Sequence, residues 1–188
     1  ESRTNLLTYS EQFDNAAWGP SNATVTANAI VAPDGNVTAD KLVTNNGVTN
    51  GQVVNTASVS ASTVYAYSVY LKAGEYTWAY VTLRGLDGVD SGAYFNLNNG
   101  TKGITESGVT AEIYPVNNGF YRCVIIKNSN TGASSGRQRV YVASSDGVRP
   151  TGNGTSGIYI WGAQLEAGSF ATSYIPTVAS QVTRAADV

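Results

Sequence analysis

Tyr76-Thr77-Trp78-Ala79-Tyr80-Val81-Thr82-Leu83-Arg84 is the stretch on which the reading of the fold turns. In extended backbone, successive side chains point to opposite faces. Thr77, Ala79, Val81 and Leu83 then form a small aliphatic face suited to a sandwich core, while Tyr76, Trp78, Tyr80, Thr82 and Arg84 share the other. Arginine is almost never fully buried without a partner, so the face that carries Arg84 is expected to be wet. Aromatic rings on a wet, uncharged face offer flat apolar platforms with polar tips. Such a surface matches the C–H faces and hydroxyls of sugar rings. Tyr76, Trp78 and Tyr80 are therefore candidates for ring stacking, with Thr82 and Arg84 as hydrogen-bonding partners.

The same alternation extends outward along the chain. In 66–72, Tyr67, Val69 and Leu71 read as inward, and Ser68, Tyr70 and Lys72 as outward. In 93–97, Tyr94 and Asn96 read as outward against Ala93, Phe95 and Leu97, which adds both to the candidate binding face. In 137–142, Arg137, Arg139 and Tyr141 share the polar side. Which of these strands lie beside Trp78 is left open by the sequence. Strand-like runs are predicted over 23–31, 37–43, 51–59, 64–73, 76–84, 92–97, 110–116, 119–127, 137–143 and 157–165. Asn-Gly and Asp-Gly pairs at 34–35, 46–47, 99–100, 118–119 and 146–147 separate many of them, and such pairs make tight antiparallel reversals. No segment carries an apolar period of 3.6 residues. The expectation is an all-β, two-sheet antiparallel β-sandwich, a jelly roll. Residues 1–177 read as the domain, and 178–188 as a C-terminal linker or tail, or a strand that packs elsewhere.

Composition removes several classes of function. The 188 residues hold 11 Lys and Arg, 13 Asp and Glu, one Cys and no His. Clustered basic residues for a nucleic-acid backbone are not expected from so little positive charge. Ser-His-Asp and Cys-His catalysis, and His- or Cys-ligated zinc, lack their residues, and a lone Cys123 cannot form an internal disulfide. No apolar run approaches the roughly 20 residues of a membrane helix, so no membrane partner is expected. Polarity is carried instead by Thr, Ser and Asn, alongside 20 Gly and 12 Tyr. A neutral, hydroxyl- and amide-rich surface suits an extracellular or virion-associated protein. No signal peptide is read at the N-terminus, and the absence of Met suggests a piece of a longer parent.

The remaining residues offer little catalytic chemistry. Glycoside hydrolysis needs two carboxylates across a cleft, whereas Asp87 and Asp90 share a Gly-rich loop, Glu75 sits at a turn and Glu112 on a weak strand. The chain is therefore expected not to be an enzyme, and no catalytic residue is assigned. No cofactor is assigned either: Glu11, Asp14 and Glu166 lie where a jelly roll can hold structural calcium, but the last strand lacks paired acidic residues. Trp18 could plug the core or rim a loop site, while Trp161, in alternation with Tyr159, Ala163 and Leu165, reads as core. The N-x-S/T triplets at Asn22, Asn36, Asn99 and Asn153 are expected by chance in a chain this rich in Asn and Thr.

Four stretches carry a resemblance: 5–14 (NLLTYSEQFD) with Trp18, 38–43 (TADKLV), 118–123 (NGFYRC) and 159–168 (YIWGAQLEAG), the last followed by 172–177 (TSYIPT). Together they resemble the jelly-roll module of phage tail-fibre and tail-spike proteins and of bacterial carbohydrate-active multidomain proteins. The chain is similar more distantly to concanavalin-like carbohydrate-binding modules. The resemblance implies a scaffold role for these motifs, a larger parent protein with other modules, and possible homo-oligomers. Leu71-Lys72-Ala73-Gly74 is similar to a segment of jelly-roll alginate lyases, whose catalytic His has no counterpart here. The sequence thus points to a non-catalytic carbohydrate-binding module for polysaccharide or a cell-surface glycan. A ligand-free assembly module of a tail fibre is the alternative, with a lyase or hydrolase behind both.

Overall fold

Fourteen strands and one short 3₁₀ turn make up the computed structural model, which describes residues 2–84, 90–130, 132 and 134–186. In chain order the strands are β1 (Arg3–Asn5), β2 (Gly19–Ser21), β3 (Ala23–Ile30), β4 (Ala39–Thr44), β5 (Gln52–Ser58), β6 (Val64–Ala73) and β7 (Trp78–Arg84). They continue as β8 (Asp90–Asn96), β9 (Thr101–Thr105), β10 (Val109–Pro115), β11 (Tyr121–Asn128), β12 (Ser135–Ala143), β13 (Gly157–Ala167) and β14 (Val182–Arg184). The front sheet runs β2-β5-β12-β7-β8-β9 and the back sheet β10-β11-β6-β13-β4-β3, with every pairing antiparallel. This is a jelly-roll sandwich, and the ten runs read from the sequence match its strands to within two residues at each end. No helix among the described residues is long and apolar enough to cross a membrane.

Period-2 patterning builds the core directly. Tyr65, Tyr67, Val69 and Leu71 of β6 face Ala79, Val81 and Leu83 of β7 and Val140 and Val142 of β12 across the sandwich. Trp18 closes this core rather than rimming a loop: it is 2% exposed, lies 4.6 Å from the Phe13 ring centroid, and donates its indole N–H to the Tyr9 carbonyl at 2.9 Å. Cys123 is fully buried on β11, and burial pushes its thiol well up. Native protein is therefore expected to resist a water-soluble thiol reagent and to react fully once denatured; comparable rates in both states would show that the sandwich opens readily.

Trp161 departs from the expected phase. The register of β13 against β6 shifts between Trp161 and Gln164, and Gly162 sits there at φ 62°. A single positive-φ residue inserts a bulge and inverts the alternation. Ile158, Ile160, Ala163 and Leu165 consequently face the main core, while Tyr159 and Trp161 face outward. There Trp161 is covered by a second small core of Tyr70, Phe120, Ala32, Ala39 and Tyr174. The buried polar residues after the bulge fasten the next segment. Gln164 Oε1 accepts the Ile175 N–H at 2.7 Å, and Glu166 accepts the Thr172 N–H and hydroxyl at 2.7 and 2.8 Å. Beyond it, β14 returns to pair with β1, Arg3 opposite Arg184.

Candidate functional site

The outer face of the front sheet is arranged in tiers set by strand register. Ala143, Trp78 and Asn96 form the first, and Tyr141, Tyr80 and Tyr94 the second. Arg139, Thr82 and Gly92 form the third, and Arg137, Arg84 and Asp90 the fourth. Strand β12 thus supplies Tyr141 and two arginines beside β7. Tyr80 and Tyr94 stack at 4.4 Å with 16° between their planes, and Tyr141 lies 5.5 Å from Tyr80. Arg149, arriving from the loop after β12, sets its guanidinium 5.4 Å from the Tyr80 centroid and 5.0 Å from that of Tyr141, within the range of a cation–π contact.

Polar bonds lock this layer. Glu106 accepts the Tyr80 hydroxyl at 2.8 Å and the Gly92 N–H at 2.7 Å. Arg139 pairs with Asp90 and donates to the Tyr141 hydroxyl at 3.2 Å. Burial raises the Tyr80, Tyr94 and Tyr141 phenols above their ordinary value, and for Tyr80 the Glu106 hydrogen bond adds to it. All three rings therefore keep their O–H at neutral pH. Thr82 Oγ1, Asp90 Oδ1 and Arg139 Nε are buried with no hydrogen-bond partner among the described residues.

Three expectations for this face are corrected. Tyr76 does not join it: β7 begins at Trp78, Tyr76 lies in the bend before it, and its ring packs against the main core. Strand alternation cannot be extended through a bend. Tyr80 is not an open platform, at 5% exposure, because Arg149, Tyr141 and Glu106 close over it, and Tyr94, expected to offer hydrogen bonds from this face, is 6% exposed and stacked on Tyr80. Thr82 is fully buried. Trp78, Arg84 and Asn96 remain partly exposed. Asn96 also accepts the Asn98 N–H at 2.9 Å, so part of its capacity is spent on the turn. Trp78 lies beside Gly103, where a Cβ would fall 2.7 Å from the indole and 2.2 Å from the Asp146 carboxylate. Glycine there is what lets the indole and the 145–148 turn close together.

Arg149 and Glu106 carried no signal in the sequence. Both come from loops whose path depends on the packed sandwich. Tyr141, Arg137 and Arg139 were recognisable as one polar face, but not as neighbours of Trp78.

Elsewhere the outer side of the back sheet holds a cleft of ≈ 820 Å³, lined by residues that include Ile30, Val31, Val37, Lys72 and Tyr159. Its walls are largely aliphatic. A smaller cleft of ≈ 220 Å³ brings Glu11 and Asp14 together with Asn28, Thr38 and Asp40, but Glu166 is committed to Thr172. Among the described residues no group of three or more His, Cys, Asp or Glu is placed to hold a metal ion. Asp40 is 1% exposed, and burial pushes its carboxyl up to about 6 despite N–H bonds from Asn28 and Phe13. An unfolded-chain Asp titrates near 3.9, so folding favours the protonated form. The stability Asp40 adds is full below about pH 3.9 and is lost as pH rises through about 6. The melting temperature is expected to fall by a few degrees over that window, and to fall less in Asp40→Asn; an equal slope in the variant would remove Asp40 as its source.

The other candidate carboxylates lie apart. Glu75 is held by Lys41 at 2.8 Å and by the Gly157 N–H at 3.0 Å, which lower its carboxyl to about 2. Glu112 accepts the Tyr114 hydroxyl at 2.8 Å. Asp90 pairs with Arg139, and Asp87 lies outside the described residues.

No protein-family model matches the chain, and no curated protein sequence matches it. Solved structures do. The enzymatically active domain of tailspike protein 4 from bacteriophage CBA120 aligns with a TM-score of 0.55 at 16% identity, over 87% of this chain and 21% of that one. The CBM22-1–GH10 modules of endo-1,4-β-D-xylanase 10B from Clostridium thermocellum, complexed with xylohexaose, align at 0.49 and 12% identity, over 92% and 29%. TmCBM27, a carbohydrate-binding module studied for mannan recognition, aligns at 0.41 and 17% identity, over 88% and 95%. The chain thus spans about a fifth of the tailspike domain and under a third of the xylanase modules. The likeness to the tailspike domain is one of fold.

Proposed function

We propose that the chain is a non-catalytic carbohydrate-binding module that takes polysaccharide across the outer face of the front sheet. The observation that carries this reading is the polar-aromatic layer itself. Trp78, three tyrosines, Arg139 and Arg149 stand outside the sandwich core, and Thr82 and Asp90 keep buried oxygens without partners among the described residues. Sandwich closure has no use for such a layer, and desolvated polar atoms without partners are costly. Trp78 offers the remaining open ring, flanked by Asn96, with Arg84 further along the face. Covering one ring face stabilises by roughly 1–2 kcal/mol, so with most rings already closed a single site binds at about the millimolar level. Repetition of the module in a larger extracellular or virion-borne parent would raise the apparent affinity.

Affinity electrophoresis against a panel of neutral and acidic polysaccharides tests the reading. Retardation by at least one polymer is expected, lost or several-fold weaker in Trp78→Ala. Equal retardation of a folded Trp78→Ala would move the site elsewhere.

The second reading, an assembly module without a sugar ligand, is favoured by the 5–6% exposure of Tyr80, Tyr94 and Tyr141. Ile104 and Val148, 52% and 49% exposed, also come near each other at the rim through Gly147. A tight oligomer by light scattering, with no retardation by any polymer, is what that reading expects.

A further inference from the structure

We infer that the ligand of the front face carries an anionic group, a carboxylate or a sulfate ester, received by Arg84 and Arg137; this rests on the carbohydrate-binding reading above. The two arginines are direct cross-strand partners, Arg137 on β12 and Arg84 on β7. Like charges placed directly opposite on a sheet are destabilising; among the seven arginines of the chain this arrangement occurs here and at Arg3 and Arg184. Neither makes a hydrogen bond or ion pair with the described residues, and Arg137 is exposed. Asp90 lies opposite Arg84 on its other flank, but among the described residues no carboxylate forms an ion pair with either arginine. Asp90 gives one oxygen to Arg139, Glu106 is taken by Tyr80 and Gly92, and an Asp146 oxygen accepts the Ile104 N–H at 2.7 Å.

Neighbouring strands lie about 4.8 Å apart, so both guanidinium groups reach a single anion between them. A planar guanidinium binds a carboxylate or sulfate through two parallel N–H bonds, which an ammonium cannot copy. The open indole of Trp78 lies three tiers away on the same strand, roughly 20 Å distant at the rise of a β-strand. That separation suits an extended polymer bearing charges along its length.

The test is binding of the intact chain to polygalacturonate and alginate (carboxylate), to dextran sulfate (sulfate), and to dextran and xylan as neutral controls, at about 20 and 300 mM NaCl. Acidic polymers are expected to bind preferentially and to weaken several-fold at the higher salt. Arg84→Ala and Arg137→Ala should each weaken binding about tenfold, with melting temperatures near that of the unaltered chain. Arg137→Lys should recover less than half of that loss on a free-energy scale. The polyuronate and sulfate arms identify which anion is read. Neutral polymers bound as well as acidic ones, without salt dependence, would overturn the anionic ligand and leave the carbohydrate reading standing. Acidic polymers bound equally by both arginine variants would overturn the assignment to this pair. No binding to any polymer would remove both.

Discussion

Asn5→Ala is expected to lower stability by about 4 kcal/mol, which at this chain length is a fall of about 10 °C or more in melting temperature. Asn5 is fully buried on β1 and uses its whole amide. Nδ2 donates to the Ala163 and Ile175 carbonyls at 3.1 and 2.9 Å, while Oδ1 accepts the Leu7 and Leu165 N–H groups at 3.1 Å each. One side chain thus ties the N-terminal segment, the bulged strand β13 and the segment after it. Its removal strands four backbone groups in a dry site, each worth about 1–3 kcal/mol before water enters. Asn5→Asp keeps both acceptors, loses both donors and buries a charge, so a loss of similar size is expected. Thr4→Ala, one residue away and holding only an exposed hydroxyl contact with Thr183 at 2.8 Å, should change stability by less than about 0.5 kcal/mol. Thermal and urea unfolding of the three variants check this. Comparable effects at positions 4 and 5 would show that the amide is not the tie.

Trp18→Ala carries the second large effect, about 3–5 kcal/mol, the range for deleting a buried aromatic and leaving a cavity. The indole is 2% exposed, packs at 47° against Phe13, and its N–H reaches the Tyr9 carbonyl. Trp18→Phe keeps most of the volume and strands only that carbonyl, so about 1–2 kcal/mol is expected. A Trp18→Phe loss as large as that of Trp18→Ala would put the weight on the hydrogen bond instead of the packing. Neither variant should alter sugar binding while folded, since Trp18 lies between the sheets.

These two residues also show how far the sequence could be read. Asn5, Trp18, Gln164 and Glu166 belong to the stretches that carried the family resemblance, and each now has a scaffold role in buried hydrogen bonds or packing. The strands were legible because inward residues such as Ala79, Val81 and Leu83 alternate cleanly with Trp78, Tyr80 and Thr82. Trp161 is buried as expected but on the opposite face from Ala163 and Leu165, because one positive-φ residue, Gly162, inverts the pattern, and nothing local distinguishes that glycine from a turn glycine. The short strands β1, β2 and β9 carry no signal because three to five residues cannot establish a period, while β14 falls in the 178–188 segment for which a strand packing elsewhere is one of the expectations.

The candidate site was legible along single strands and illegible between them. Alternation placed Trp78, Tyr80, Thr82 and Arg84 together, and separately Tyr94 with Asn96 and Tyr141 with Arg139. Which strand lies beside which is set by the long connections of the jelly roll, and those leave no mark on local pattern. For the same reason the covering of the tyrosines by Arg149 and Glu106 had no signal. A face expected to be open to solvent is largely closed, and its reading shifts from a three-ring platform to one indole with arginines beyond it.

That shift makes one measurement decisive. Of the three tryptophans, Trp18 and Trp161 are buried at 2% and 5% exposure, and Trp78 alone is partly open. Fluorescence titration with the polysaccharide that gives the strongest retardation should show a saturable blue shift or quench, absent in Trp78→Phe. A saturable change of equal size in folded Trp78→Phe, or no change in the unaltered chain while the polymer is demonstrably bound, would contradict binding across the front face.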